Sequence, residues 1–187
     1  MSRPIAQGLS ASERALADAV SEIERHVARG GWDGPIRVFA LIKTQDAIAT
    51  DPELAAQLPT ATIAAAQEDP EHLTSVEQED LPDAHSLEEL LAYISWPITV
   101  VGCAVVTEQL ILPPSAEASI PDDPAAALQY VTNHPDRQDV RMAVGTTRFG
   151  DSWCAIRTRS HDADLDVAHG ATLVPQLIEA VRATLEP

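Results

Sequence analysis

The longest apolar run in the chain is PITVVGCAVV, Pro97 to Val106, where only Thr99 and Gly102 interrupt Ile98, Val100, Val101, Cys103, Ala104, Val105 and Val106. β-Branched residues dominate it, and their stiff side chains suit a pleated strand. Both alternating faces are apolar, so the strand is expected to be central and covered on both sides. The pattern carries it on through Glu108 to Leu110, Ile111 and Leu112, where Pro113-Pro114 stops it. A bilayer needs about 20 apolar residues, so the run is too short to span one.

Helical spacing is clearest at the two ends. Ser10 and Glu13 form a capping box. Behind it Leu16, Val20, Ile23 and Val27 recur on one face until Gly30, which predicts a helix over 11–29. Near the C-terminus Leu173, Leu177, Val181 and Leu185 make a stripe, predicting a helix over 171–185 with Pro175 in its first turn. A second capping box, Ser86 and Glu89, opens a helix carrying Leu87, Leu90, Leu91 and Ile94 that Pro97 ends. Asp51-Pro52 and Asp123-Pro124 each place Pro at a first helical position, predicting short helices through Leu58 and over 124–133. The stretch 113–123 reads as an acidic loop.

Alternation marks the remaining strands. GGWDGPIRVFALI (30–42) is a Gly-rich turn leading into a strand, with Val38, Ala40 and Ile42 on one face and Arg37, Phe39 and Leu41 on the other. Segments 60–67 and 72–79 read as two strands around Asp69-Pro70. DVRMAVGTT (139–147) and SWCAIRTR (152–159) read as a hairpin. Val140, Met142, Val144 and Thr146 share a face with Cys154, Ile156 and Thr158. Same-face residues pair only when their numbers sum to an even value, which excludes a two-residue Phe149-Gly150 loop. A three-residue loop, Arg148-Phe149-Gly150 with Gly left-handed, satisfies both parity and turn chemistry. That register sets Asp139 opposite Arg159 and Arg141 opposite Arg157. The order of elements predicts one α+β domain over 1–187: a mainly antiparallel sheet flanked by N- and C-terminal helices, with 1–9 as a flexible tail.

Composition adds little to this picture. Of 187 residues 45% are apolar and 4% aromatic, so Val, Leu, Ile and Ala must fill the core. Two cysteines, Cys103 and Cys154, are too few for a disulfide scaffold and read as buried thiols. The N-terminus lacks the basic start and apolar core of a signal peptide, and a cytoplasmic protein is expected. Charge changes the picture more. The net charge is −17, and between Lys43 and Arg137 there are 17 Asp and Glu with no Lys or Arg. Such a field repels phosphate backbones and anionic membranes, so neither nucleic acid nor membrane is an expected partner. It is either a solubilising face or a surface that attracts a basic protein.

Candidate chemistry concentrates in the last third. His161, Asp162, Asp164, Asp166 and His169 lie within HDADLDVAH, whose D-x-D-x-D start is similar to a calcium loop. Val167 stands where that loop needs Gly, and Leu173 where it needs Glu, so an exposed acidic loop beside a helix start is the alternative reading. The hairpin's outward face is expected to carry Arg141, Arg157, Arg159 and Trp153. Two facing arginines repel unless an anion sits between them. That anion is supplied internally, by Asp139 or the acidic middle of the chain, or externally by a carboxylate or phosphate ligand. Cys103 and Cys154 form no C-x-x-C, and no nucleophile, phosphate-loop or zinc motif occurs. No cofactor and no catalytic residue is expected.

The words GGWDGPIRVFALI, FGDSWCAIR (149–157) and LVPQLIEAVRATL (173–185) resemble a family of conserved, uncharacterised actinobacterial proteins. That resemblance covers most of the chain and transfers no catalytic residue. The order of elements is also similar to that of type III secretion chaperones, small dimeric α+β proteins that bind other polypeptides. Together these readings lead to a non-catalytic adaptor or chaperone-like protein, a homodimer with a basic protein partner. The alternative is an anion- or metal-binding protein or enzyme using the arginine hairpin or the acidic loop.

Overall fold

The computed structural model describes residues 8–187, so residues 1–7 of the expected tail lie outside it. Helix α1, Ala11–Ala28, begins at Ser10 with both hydrogen bonds of the capping box formed. Six strands follow in a single antiparallel sheet: β1 (Arg37–Lys43), β2 (Leu73–Glu77), β3 (Gly102–Ile111), β4 (Gln138–Thr147), β5 (Ser152–Thr158) and β6 (Ala168–Gly170). Their spatial order is β2-β1-β3-β4-β5-β6. Between them lie α2 (Thr44–Thr50), α3 (Pro52–Gln57), α4 (Thr60–Glu68), α5 (Leu87–Ala92), α6 (Pro114–Glu117) and α7 (Pro124–Asn133), and α8 (Pro175–Ala183) closes the chain. The fold class is α+β, as the sequence predicts.

Strand alternation sorts the core into two layers. Phe39, Leu41, Ala104, Val106, Ala143, Trp153 and Ala155 face α1, whose Leu16, Val20, Ile23 and Val27 cover them. Val38, Cys103, Val105, Val140, Met142, Val144 and Cys154 face the other way, onto Leu90 and Leu91 of α5, Ile178 and Val181 of α8 and Leu185 just after it. Each fully buried Val, Leu or Ile contributes roughly 1.5–3 kcal/mol. Helices therefore cover both faces, which explains why β3 is apolar on both.

The approach of α1 is closest at Gly145 of β4, where an added Cβ would stand 2.5 Å from Val20 Cγ2 and 3.2 Å from Leu16 Cδ1. The hairpin register is the one parity requires. Arg141 pairs with Arg157, Met142 with Ile156 and Val144 with Cys154. Gly150 closes the loop at φ +96°, in the left-handed region, with Thr147 N donating to Asp151 O at 3.0 Å. Arg159 N donates to Asp139 O at 2.9 Å, which carries the same register one pair further.

Several expectations are corrected. Segment 60–67 is helix α4 and not a strand. Its alternation is carried largely by Ala, the best helix former and a poor strand former, and propensity wins over pattern there. The central strand starts at Gly102, five residues later than the apolar run. Val100 N turns back to Pro97 O at 3.0 Å, and Ile98 is 81% exposed. The C-terminal helix begins at Pro175, so Leu173 precedes it and is partly exposed, while Ile178 takes a place in the buried stripe. Helices α2 and α6 and strand β6 fall in segments read as loop or left unassigned. Among the described residues no helix is long and apolar enough to cross a membrane.

Candidate functional site

Parity places Arg141 and Arg157 side by side on the face under α1, and the packing of that helix decides the rest. The expectation of an outward arginine face holds for Arg159, which is exposed, and is corrected for the other three residues. Arg141 is 1% exposed, Arg157 2%, and Trp153 lies in the core beneath α1. Their repulsion is relieved because each guanidinium has its own carboxylate. Glu24 of α1 grips Arg157 bidentately, with Nε–Oε1 2.6 Å and Nη2–Oε2 2.9 Å, in a pair with both side chains 2% exposed. Glu108 of β3, register partner of Arg141, accepts from its Nε at 3.1 Å and its Nη2 at 2.9 Å. The row Glu108–Arg141–Arg157 thus crosses three strands, with Glu24 above its end.

Two loops are tied onto this row. From one side comes the GGWDG turn. Arg141 Nη2 donates to Gly31 O, and its guanidinium carbon lies 4.4 Å from the Trp32 ring centroid. Arg159 stacks more loosely on the same ring, at 5.6 Å, and clasps Asp33 bidentately at 2.9 Å twice. Asp33 is a non-glycine residue at φ +67°, held there also by its N–H donating to Glu108 Oε2 at 2.7 Å. From the other side comes the acidic loop. Arg157 donates to Asp162 O at 2.7 Å and to Asp164 Oδ1 at 2.7 Å, and Trp32 Nε1 donates to Asp162 Oδ2 at 3.0 Å.

The electrostatics follow the contacts. The hydrogen bond from Arg157 holds the Asp164 carboxyl below its usual range, and that from Arg159 does the same for Asp33. Both arginines are in turn held more firmly protonated. His161 is exposed and bonded to Ser160 through Nδ1 at 3.0 Å. Asp166 is exposed in the short turn Asp164–Asp166, and His169 sits in β6 with burial pushing its pKa down. The five residues of the acidic loop therefore do not converge. Among the described residues no three His, Cys, Asp or Glu side chains lie together in a way that could hold a metal ion.

Register also separates the cysteines. Cys103 faces Thr146 on β4, while Cys154 lies on β5 opposite Val144. Two interstrand spacings, about 10 Å, lie between them, against a Cα limit near 7 Å for a disulfide. Both thiols are free and their pKa values are raised by burial, which leaves them inert as nucleophiles.

Glu24, Trp32, Asp33 and Glu108 were not singled out by the sequence reading. Glu24 had a signal: it falls four residues after Val20 and eight after Leu16, on the buried stripe of α1, where a carboxylate requires a partner. The family model for PPA1309-like protein matches residues 16–186, which includes every residue of this arrangement. The chain belongs to the PPA1309-like protein family. No curated protein and no solved structure matches it.

Two further features of the surface remain. Beside Arg141 a cavity of about 490 Å³ opens between the GGWDG turn and the ends of β1, β2 and β3. At the opposite end of β1, a groove of about 380 Å³ is lined by Ile42, Ala47, Leu54, Ile98 and Val101, with Asp46 and Asp51 at its rim. Phe149, at the hairpin tip and 70% exposed, stands near it, with Lys43 Nζ 6.0 Å from its ring centroid. Arg148 fixes the groove's far wall through its donations to the carbonyl oxygens of Trp96, Pro97, Val100 and Leu185.

Proposed function

We propose that this PPA1309-like protein is a single-domain, cytoplasmic, actinobacterial adaptor without catalytic activity, acting as a homodimer that binds a protein partner through the groove between α2, α3 and the 97–101 turn. One observation carries the reading: Ile98, a large apolar side chain 81% exposed, lines a mostly apolar groove whose wall also carries Asp46 and Asp51, and Phe149, 70% exposed, lies over Lys43 of the same wall. Exposed apolar patches with a polar rim mark interaction surfaces. Asp46 and Asp51 line the groove, and its one cation, Lys43, is paired with Glu71 at 3.1 Å, so the groove's free charge is negative and favours a basic partner. The occupant is a partner segment with one apolar anchor flanked by Arg or Lys. The arginines named as site residues support the same reading, because Arg141, Arg157 and Arg159 are engaged by Glu108, Glu24 and Asp33 and hold the scaffold together.

The test uses a photo-crosslinking residue at position 99, on the groove wall, in native lysate, with Ile98→Glu as the control. A crosslinked segment carrying an apolar residue between basic ones, lost in Ile98→Glu, is the expected result. An acidic or uncharged crosslinked segment, or one captured equally by the variant, refutes the reading. A crosslink to a second copy, with a dimer that Ile98→Glu dissociates, would make the groove a self-interface and overturn the assignment of a basic partner.

A further inference from the structure

Strand β2 forms one edge of the six-stranded sheet, and only one of its sides is used. The bonds from Gln78 N to Val38 O, 2.8 Å, and from Thr44 N to His72 O, 3.1 Å, bracket its pairing with β1. Hydrogen-bonded pairs recur every second residue in an antiparallel ladder, so Thr74 and Val76 turn their backbone groups to Ile42 and Ala40. The N–H and C=O groups of Leu73, Ser75 and Glu77 therefore point away from β1. Among the described residues no turn, loop or cap bonds to them, and Ser75 and Val76 are exposed.

Proteins usually blunt such an edge with Lys, Pro, a bulge or a covering element. LTSVE contains no Lys or Pro, and its register with β1 runs through all five residues without a bulge. The opposite edge, β6, is protected by being only three residues long. The β2 edge thus offers three donors and three acceptors at the spacing an added strand requires. A cavity of about 390 Å³, lined in part by Ile23 and Phe39, opens beside Ser75 on the α1 side, and Val76, 43% exposed, stands on the other. Both suit apolar side chains of the added strand.

Charge decides the occupant. Glu68 and Asp69 precede the strand, Glu79 and Asp80 follow it, and none of the four has an ion pair among the described residues. The cavity wall between them is balanced, with Glu22 and Glu77 against Arg25 and Arg29. A second copy pairing antiparallel about Ser75 would set the acidic turn before β2 of each chain against the acidic stretch after β2 of the other. Like charges opposed in this way destabilise a strand pair. A segment with basic ends meets opposite charge at both.

We propose that the free edge of β2 docks an extended segment of a partner protein, apolar at its centre and carrying Lys or Arg at both ends, as a seventh strand of the sheet. The edge shares no residue with the Ile98 groove, so binding here does not depend on that reading.

The probe is the capped peptide Lys-Thr-Val-Leu-Val-Thr-Lys, titrated into isotopically labelled full chain and followed by two-dimensional NMR and amide hydrogen exchange. Shifts should centre on residues 72–78. The N–H groups of Leu73, Ser75 and Glu77 should gain protection, while those of Thr74 and Val76, already bonded to β1, change little. The same peptide with Glu at both ends should bind about tenfold or more weakly, because both end contacts change sign. Ser75→Pro should abolish binding and still fold, since Pro is tolerated on an edge strand where the missing N–H faces solvent. Ile98→Glu should leave binding unchanged. No shifts up to about 5 mM peptide, a concentration above any meaningful affinity, overturns the proposal. So does equal binding of the Glu-ended peptide, or binding without protection at those three amides. A dimer of the full chain that Ser75→Pro dissociates would make the edge a self-interface and overturn the assignment of a basic segment.

Discussion

Removing one member of the Glu24–Arg157 pair should be among the most damaging single changes available in this protein. Both side chains are 2% exposed, and the two bonds of 2.6 and 2.9 Å are the only charged link between α1 and β5 among the described residues. Glu24→Met leaves a buried guanidinium facing apolar side chains, with only the exposed carboxylates of Asp164 and Asp162 and the Asp162 backbone to meet it. Arg157→Met leaves a buried carboxylate with nothing. Breaking such a pair from one side costs about 3–5 kcal/mol. Against a total stability of roughly 5–15 kcal/mol this is a large share. Replacing both residues by Met removes the two desolvated charges together, and the double variant should lie within about 1–2 kcal/mol of the parent.

Urea unfolding followed by far-UV circular dichroism reads all four proteins. With a slope of about 2 kcal/mol per molar, each single variant should lower the midpoint by roughly 1.5–2.5 M, and the double should recover most of it. The coupling energy from the cycle should exceed about 2 kcal/mol. Singles that shift by less than about 0.5 M, or a double as unstable as the sum of the singles, would show that water reaches the pair and that the arginine row is not held as described.

Other outcomes follow from the same contacts. Acidification should release the loop over Arg157 first. Asp164 has a folded pKa below its unfolded value, so its contribution is complete above the unfolded value and is lost as pH falls through the folded one. Asp164→Asn should remove that acid-dependent step, as followed by NMR shifts of residues 160–166. His169 has its pKa lowered by burial, and its Nδ1 has no partner. The folded state prefers the neutral ring, so stability should be full above the ordinary His value near 6.5 and decline below it, and His169→Gln should flatten urea midpoints between about pH 7 and 5. Gly145→Ala sets a Cβ against Val20 and Leu16 of α1 and should cost about 1–3 kcal/mol by overpacking, while Gly34→Ala, where an added Cβ meets nothing, should leave thermal unfolding unchanged. Arg148→Met removes donors to four backbone carbonyls and should raise hydrogen exchange over 96–101 before any global loss of stability.

The sequence by itself determined what is local. The Ser10–Glu13 box set the start of α1, Gly150 and side-chain parity set the β4–β5 register, the alternation in β1 separated Val38 from Phe39 and Leu41, and the apolar character of both faces of β3 marked it as covered on both sides. These features depend on neighbours within a few positions, where turn chemistry and period leave few choices. Tertiary structure decided what depends on distant residues. Nothing near Arg157 reveals that Glu24, 133 positions away, will meet it, and so whether the arginine face looks outward or is roofed by α1 was not legible in the hairpin. The start of β3 likewise follows the turn that Arg148 holds, not the apolar run, which begins earlier at Ile98. The acidic loop read as a metal candidate because five ligand-type residues lie together in sequence. In the fold two of them are drawn to Arg157 and the others point elsewhere, because a buried guanidinium attracts the nearest carboxylates more strongly than any arrangement they could make alone.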